Sequence, residues 1–291
     1  MTQLPISYPP PKHILRSLRY EVEHRPDFTS TASMEAGRHL RSASGNVEIG
    51  ALATLADATA GGLAALAASP GWIATSDLTL HLAGAVNAER VFAHGRVLRQ
   101  GNSKIVLAVD LESETRAPLG IATMSFSVLP RRDGNPIMSS SSEVATHSFL
   151  PSDAQLDNGS LEEHIHEAIG VRTIAGVVGG VESDMTEYVV NTLGAMQGGA
   201  VATLGAASAS SALQAARGRN ELFECVDLVI TYLSLGKAGP IRASAVVTQV
   251  NSDWGTARVE IRDSGSENRL MAIVAATAVC VESSPNTDGS L

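Results

Sequence analysis

The sequence predicts an α+β protein built twice over, each half an apolar helix followed by hairpin-linked strands. Three repeated anchors carry this reading. The stretch GALATLADATAGG, from Gly50 to Gly62, is echoed by GGAVATLGAASAS, from Gly198 to Ser210. Aligning Ala51–Gly61 with Ala200–Ser210 gives six identities in eleven positions. The second anchor sets TSDLTLHL from Thr75 against CVDLVITYL from Cys225, and the third sets VDLES from Val109 against VEIRD from Val259. Three anchors in one order at a nearly constant offset indicate a duplication.

Each element follows from its pattern. An extended segment leads into a helix of Ala, Leu, Thr and Gly, apolar on every side, which must be wrapped by other structure. In the first copy, β-rich or alternating runs predict strands over 72–82, 90–99, 104–112 and 119–129. In the second they fall over 223–233, 241–250, 256–262 and 270–281. Polar turns such as RQGNSK and RDSGSEN separate them. Residues 131–160, rich in Ser, Pro, Gly and Asn, read as a linker. The domains are therefore 1–130 and 161–291.

Composition narrows the function. A net charge of −9 gives no basic excess for nucleic acid or an anionic membrane. The N-terminus has no apolar core of signal-peptide length. The apolar run 51–68 is a poor membrane span, interrupted by Asp57, Gly61 and Gly62. Cys225 and Cys280 match no metal or redox spacing and require no oxidising compartment. The expected setting is the cytoplasm. In EEHIHEA, His164 and His166 would point to different faces of a helix with no further ligands, so no metal is expected. His81 and His94 are read as strand residues without chemistry. Arg96, Arg99, Arg131 and Arg132 are read as solvated charge rather than phosphate ligands.

The carboxylate inside the first apolar helix remains to be explained. The chain resembles the hot-dog fold, a curled antiparallel sheet around a central helix. More narrowly it resembles the PaaI-like acyl-CoA thioesterases, with two hot-dog domains in one chain forming a pseudo-dimer. The family pattern is an Asn, then His-Gly-Gly six residues later at a helix start, Leu-x-Asp inside the helix, and Thr/Ser-x-Asp-Leu on the next strand. The first copy keeps TLAD, with Asp57 at the acid position, and Thr75, Ser76, Asp77 and Leu78 on the strand, but has Ser42, Glu48 and Ile49 for Asn, His and Gly. The second keeps Asn191, Gly198 and Gly199, with Gln197 for His, but has Ala206 for the acid and Cys225 for the strand Thr.

The resemblance implies sites assembled across the pair. Asn191, Gln197 and Gly198 from the second copy would face Asp57 and Thr75 from the first, with Gly199 and Ser76 binding substrate. The mirror site, with Glu48, Ile49, Ala206 and Cys225, would be dead.

Thioester hydrolysis needs oxyanion stabilisation, which a glycine-rich helix start supplies through free N–H groups. It also needs a base or nucleophile, and both roles stay open for Asp57. Thr75 would hydrogen-bond the acid or a water, while Asn191 and Gln197 would orient water or carbonyl. The implied activity is hydrolysis of a small-to-medium acyl-CoA, with coenzyme A as part of the substrate, no other cofactor and a possible homodimer of tandem chains. The competing readings are a non-catalytic acyl-CoA binder or sensor and, ranked lower, a hot-dog enoyl-CoA hydratase, for which the expected Asp–His pair is absent.

Overall fold

The computed structural model describes residues 8–131, 144–151, 163–218 and 221–281. The first half begins with α1 (Ile14–Ser17), β1 (Tyr20–His24), β2 (Thr29–Glu35) and a short 3-10 turn (Arg38–Leu40). The central helix α2 (Ile49–Ala68) follows, then β3 (Trp72–Leu82), β4 (Arg90–Gln100), β5 (Lys104–Ser113) and β6 (Pro118–Leu129). Strand β7 (Ala145–Phe149) comes next. The second half contains α3 (Ile165–Ile169), β8 (Arg172–Thr173), β9 (Gly180–Ser183), α4 (Gly198–Arg217), β10 (Leu222–Tyr232), β11 (Ile241–Val250), β12 (Trp254–Asp263) and β13 (Arg269–Val281). The expected long strands all form, within a residue or two at each end.

All the strands join one sheet in the order β7-β1-β2-β4-β5-β6-β3-β10-β13-β12-β11-β9-β8. Each half is a hot-dog unit, its sheet curled around its own helix. The units join where β3 pairs antiparallel with β10. There Thr79 lies opposite Val229, its own counterpart in the repeat, so a pseudo-twofold axis passes between them. His81 Nδ1 and the Asp227 carboxylate, 2.8 Å apart, tie the same seam.

Helix α2 has the length and hydropathy of a membrane span, but 78% of that window is buried inside the fold, as befits a wrapped core helix. Leu52, Leu55 and Leu63 have no exposed surface, and Ser69-Pro70 ends the helix. Helix α4 is capped by Gln197 and ends at Gly218 with φ 126°. The two helices cross antiparallel. A Cβ on Gly199 would fall 2.6 Å from Thr54 Cβ, and one on Gly50 would fall 2.8 Å from Thr203 Cβ. The backbones approach this closely because both positions lack a side chain. Each threonine hydroxyl turns back onto its own helix, Thr54 to Gly50 C=O at 2.8 Å and Thr203 to Gly199 C=O at 2.9 Å.

One sequence expectation is corrected here. The span 131–160 is not all linker: 145–149 form β7, antiparallel to β1 at the sheet edge. Its five residues are too few to stand out from their Ser- and Pro-rich surroundings. Tertiary contact defines it, including Phe149 stacked on Tyr20 at 5.9 Å between centroids.

Candidate active site

The antiparallel crossing places the acid. One turn beyond the Thr54–Gly199 contact, Asp57 of the first unit lies over the first residues of α4 in the second. Its Oδ2 accepts from Gln197 Nε2 at 3.0 Å, and its Oδ1 accepts from Thr75 Oγ1 at 3.0 Å. Gln197 is held at both ends of its amide, because its Oε1 caps α4 by accepting from Ala200 N–H at 3.1 Å. A Cβ at position 198 would lie 2.7 Å from Asp57 Oδ2, so only glycine lets the carboxylate settle there. Among the described residues neither Gly198 nor Gly199 N–H has an acceptor. These are the free donors of a helix start.

Thr75 reaches Asp57 because β3 carries a bulge between Thr75 and Asp77 in its pairing with β6. A bulge re-aims side chains, and the repeat preserves it at Cys225–Asp227 in β10.

Asp57 is 8% exposed. Burial pushes its pKa up to about 6, against the opposing pull of the Thr75 hydroxyl. Tyr8, Tyr20 and Tyr232 stand near enough that burial first, and the Asp57 charge second or third, raises their phenol pKa values. Tyr232 also donates to Gly198 C=O at 2.9 Å, fixing the first peptide of α4. Tyr8 packs edge-on against His13 at 5.0 Å, and His13 caps α1 by accepting from Leu15 N–H. Burial lowers the His13 pKa to about 3, so the ring is neutral and its Nε2–H donates to Val190 C=O at 3.2 Å.

Several predicted residues are thus brought together and others are not. Asp57, Gln197, Thr75 and Gly198 converge. Asn191 does not reach Asp57: its Oδ1 accepts from Leu193 and Ala195 N–H at 2.9 and 3.1 Å, and its Nδ2 donates to Met196 C=O at 3.5 Å. It shapes the turn before α4, a common use of Asn. Gly199 serves the helix crossing, and Ser76 Oγ bonds Ser127 Oγ at 2.7 Å, away from the acid. Sequence reasoning missed the three tyrosines. For Tyr232 a signal existed, because the repeat aligns it with Leu82 inside the second anchor.

At the mirror position Glu48, Ile49, Ala206 and Cys225 also come together, around a cavity of about 360 Å³. His164 and His166 do not diverge as expected. His164 caps α3 rather than lying within it, and the Nε2 atoms of both rings lie 3.7 Å from the Glu48 carboxylate. Among the described residues no group of three or more His, Cys, Asp and Glu side chains is set to hold a metal ion.

Residues 44–119 match the family model of the thioesterase superfamily. No curated protein matches the sequence. Among solved structures, the chain is similar to the tesB protein of Mycobacterium avium subs paratuberculosis, at 13% identity over 92% of this chain and 98% of that one, with TM-score 0.61. It is also similar to a hot-dog-fold protein of unknown function from Alicyclobacillus acidocaldarius (10% identity, 88% and 94% covered, TM-score 0.55). A third is an acyl-ACP thioesterase from Bacteroides thetaiotaomicron (11% identity, 86% and 98% covered, TM-score 0.54). At these identities the likeness establishes the fold over nearly the whole chain. The superfamily match spans the helix that bears Asp57 and the strand that bears Thr75.

The fold is the hot-dog fold, and the part of the first unit that bears Asp57 and Thr75 matches the thioesterase superfamily model. The chain is the tandem form of that fold, with both hot-dog units in one polypeptide.

Proposed function

We propose that this protein hydrolyses small-to-medium acyl-CoA thioesters at one composite site, with Asp57 as general base. The observation that carries the reading is the bond between Asp57 of one unit and Gln197 of the other, above a glycine helix start with two free N–H groups. The thioester carbonyl oxygen would point at the Gly198 and Gly199 N–H groups, where the positive end of α4 favours the developing oxyanion. Asp57, with a pKa of about 6, is ionised at neutral pH and basic enough to take a proton from water. Thr75 and Gln197 hold its two oxygens, and Tyr232 fixes the peptide that presents the donors. Asn191 is a positioning residue for the loop entering α4, and the substrate roles expected of Gly199 and Ser76 narrow to the Gly199 N–H.

The chain works as its own pseudo-dimer. Two unpaired cysteines suit a reducing compartment such as the cytoplasm, and sedimentation would show whether two chains pair. The deciding experiment is thiol release from a panel of acyl-CoAs by wild type, Asp57→Asn and the double variant Asp57→Asn/Ala206→Asp. Loss of activity in Asp57→Asn without rescue in the double variant supports a single composite site. Full activity in Asp57→Asn overturns it. Binding of acyl-CoA without hydrolysis by wild type would establish the binder reading instead. A single turnover in heavy-oxygen water that left label in Asp57 would make it the nucleophile.

A further inference from the structure

We propose that the cavity at the start of α2, the pseudo-twofold mate of the Asp57 site, is a second ligand site for a small apolar molecule with a hydrogen-bond-donating head, an alcohol or a primary amine. Its volume of about 360 Å³ lies in the range of small-molecule pockets. The duplication explains how the room arose. Ala206 stands where the other site has Asp57, Cys225 where it has Thr75, and Leu82 where it has Tyr232, and all three line the cavity. Val47, Ile49 and Phe223 extend the apolar wall. A site that had merely decayed would be expected to collapse onto itself, since interiors close-pack.

Two carboxylates, Glu48 and Glu224, stand among the polar groups that line the cavity. Glu48 occupies the N-cap position of α2, yet its side chain makes no capping bond, unlike Gln197 at the start of α4. Its side chain is 17% exposed, and the His164 and His166 rings stand 3.7 Å from its carboxylate, beyond hydrogen-bond length. Burial lowers the His166 pKa, which leaves that ring neutral. Glu224, on the β10 wall, is engaged by Ser42, Ser44 and Asn46. Burial also pushes the Cys225 thiol up to about 12, so it stays protonated. Among the described residues no Lys or Arg lines the cavity. Two carboxylates without a cation reject phosphates and free carboxylates, which separates this site chemically from one that takes coenzyme A. They suit an ammonium or hydroxyl head on an apolar tail.

Burial raises the Glu48 pKa to about 7, against the pull of His164 and with that of Glu224. Amine binding should therefore tighten as pH rises from 6 to 8, while alcohol binding changes less.

The test is calorimetric titration of the full chain with octylamine, 1-octanol and octanoate, three probes sharing one tail. Octylamine and octanol should each saturate one site, with octanoate at least about tenfold weaker, a difference of about 1.4 kcal/mol. Glu48→Gln should weaken octylamine about tenfold more than octanol, and Ala206→Leu, which fills the cavity, should abolish both. If Ala206→Leu does not fold, Ser210→Val on the same wall replaces it. Octanoate binding as tightly as octylamine, or binding that survives the filled cavity, overturns the proposal. Repeating the titrations in Asp57→Asn separates this site from the hydrolytic one. Binding there persists whether or not Asp57 proves to be the base.

Discussion

The two ends of the helix crossing began as the same structure and now differ in a few side chains. At one end a carboxylate from α2 sits on the start of α4, and Gln197 both caps that helix and holds the acid. At the other, the carboxylate has moved to the cap position itself, as Glu48, and the helix position opposite has become Ala206. The two changes belong together. A Glu at the cap facing an Asp on the helix would set two buried anions about 3 Å apart, an arrangement in which one must take up a proton. A neutral amide at position 197 is what lets Asp57 remain ionised, and loss of the acid at 206 is what lets Glu48 be tolerated. The scaffold around them has barely changed: the crossing glycines, the back-bonded threonines and the β3 and β10 bulges persist on both sides.

The strongest way to break the comparison is to remove the acid. Asp57→Asn should lower kcat/KM by about 10³-fold, within the range general-base catalysis contributes. The same change should stabilise the fold. Because the folded-state pKa of Asp57 is raised from 3.8 to about 6, its favourable contribution is complete below 3.8 and is lost as pH rises through 6. Asn, able to accept from Gln197 and donate to Thr75, does not lose it. Urea unfolding at pH 5 and pH 8 should show the variant's advantage growing with pH toward about 3 kcal/mol.

Next is Gln197→Glu, which imports the mirror site's cap into the Asp57 site. We expect activity to fall about 100-fold at pH 7 and the acidic limb of the pH profile to move upward, because the two carboxylates share a proton. An unchanged pH profile would show that Gln197 does not touch Asp57 during turnover.

Smaller, and sharper as a comparison, are Gly199→Ala and Gly50→Ala. Each forces the helices apart at an equivalent contact, so each should cost about 1–3 kcal/mol in chemical denaturation. Only Gly199→Ala disturbs the peptides over which Asp57 lies, so it should lose more activity than Gly50→Ala. The smallest effect belongs to Tyr232→Phe. Loss of its bond to Gly198 C=O should cost about 1 kcal/mol in stability and a few-fold in kcat with KM little changed.

Much of this was legible in the chain. The repeat, both long helices and the eight long strands follow from periodicity and turn chemistry, which are local properties. So does the oddity of Asp57, a charge in a helix with no polar face. The strand β7 was hidden because five residues carry too little pattern to declare themselves; the Tyr20–Phe149 stack and the β1 edge define it. Asn191 sits at the family spacing, but its amide closes its own turn, and spacing alone does not say where a side chain's hydrogen bonds go. Ser76 and Thr75 are neighbours in sequence, and only the bulge decides which one meets the acid. The tyrosines whose phenols feel the Asp57 charge come from distant segments, and no local pattern links Tyr8 with Tyr232.

The sequence by itself determined the duplication, the elements of each unit and which half kept the acid, because these depend on residue identity and short-range periodicity. The tertiary structure alone decided that Asp57 and Gln197 share a hydrogen bond and that the mirror site holds a cavity rather than a collapsed scar. Those outcomes depend on how closely two helices cross and what volume each side chain leaves behind, and both are properties of packing between segments some 150 residues apart.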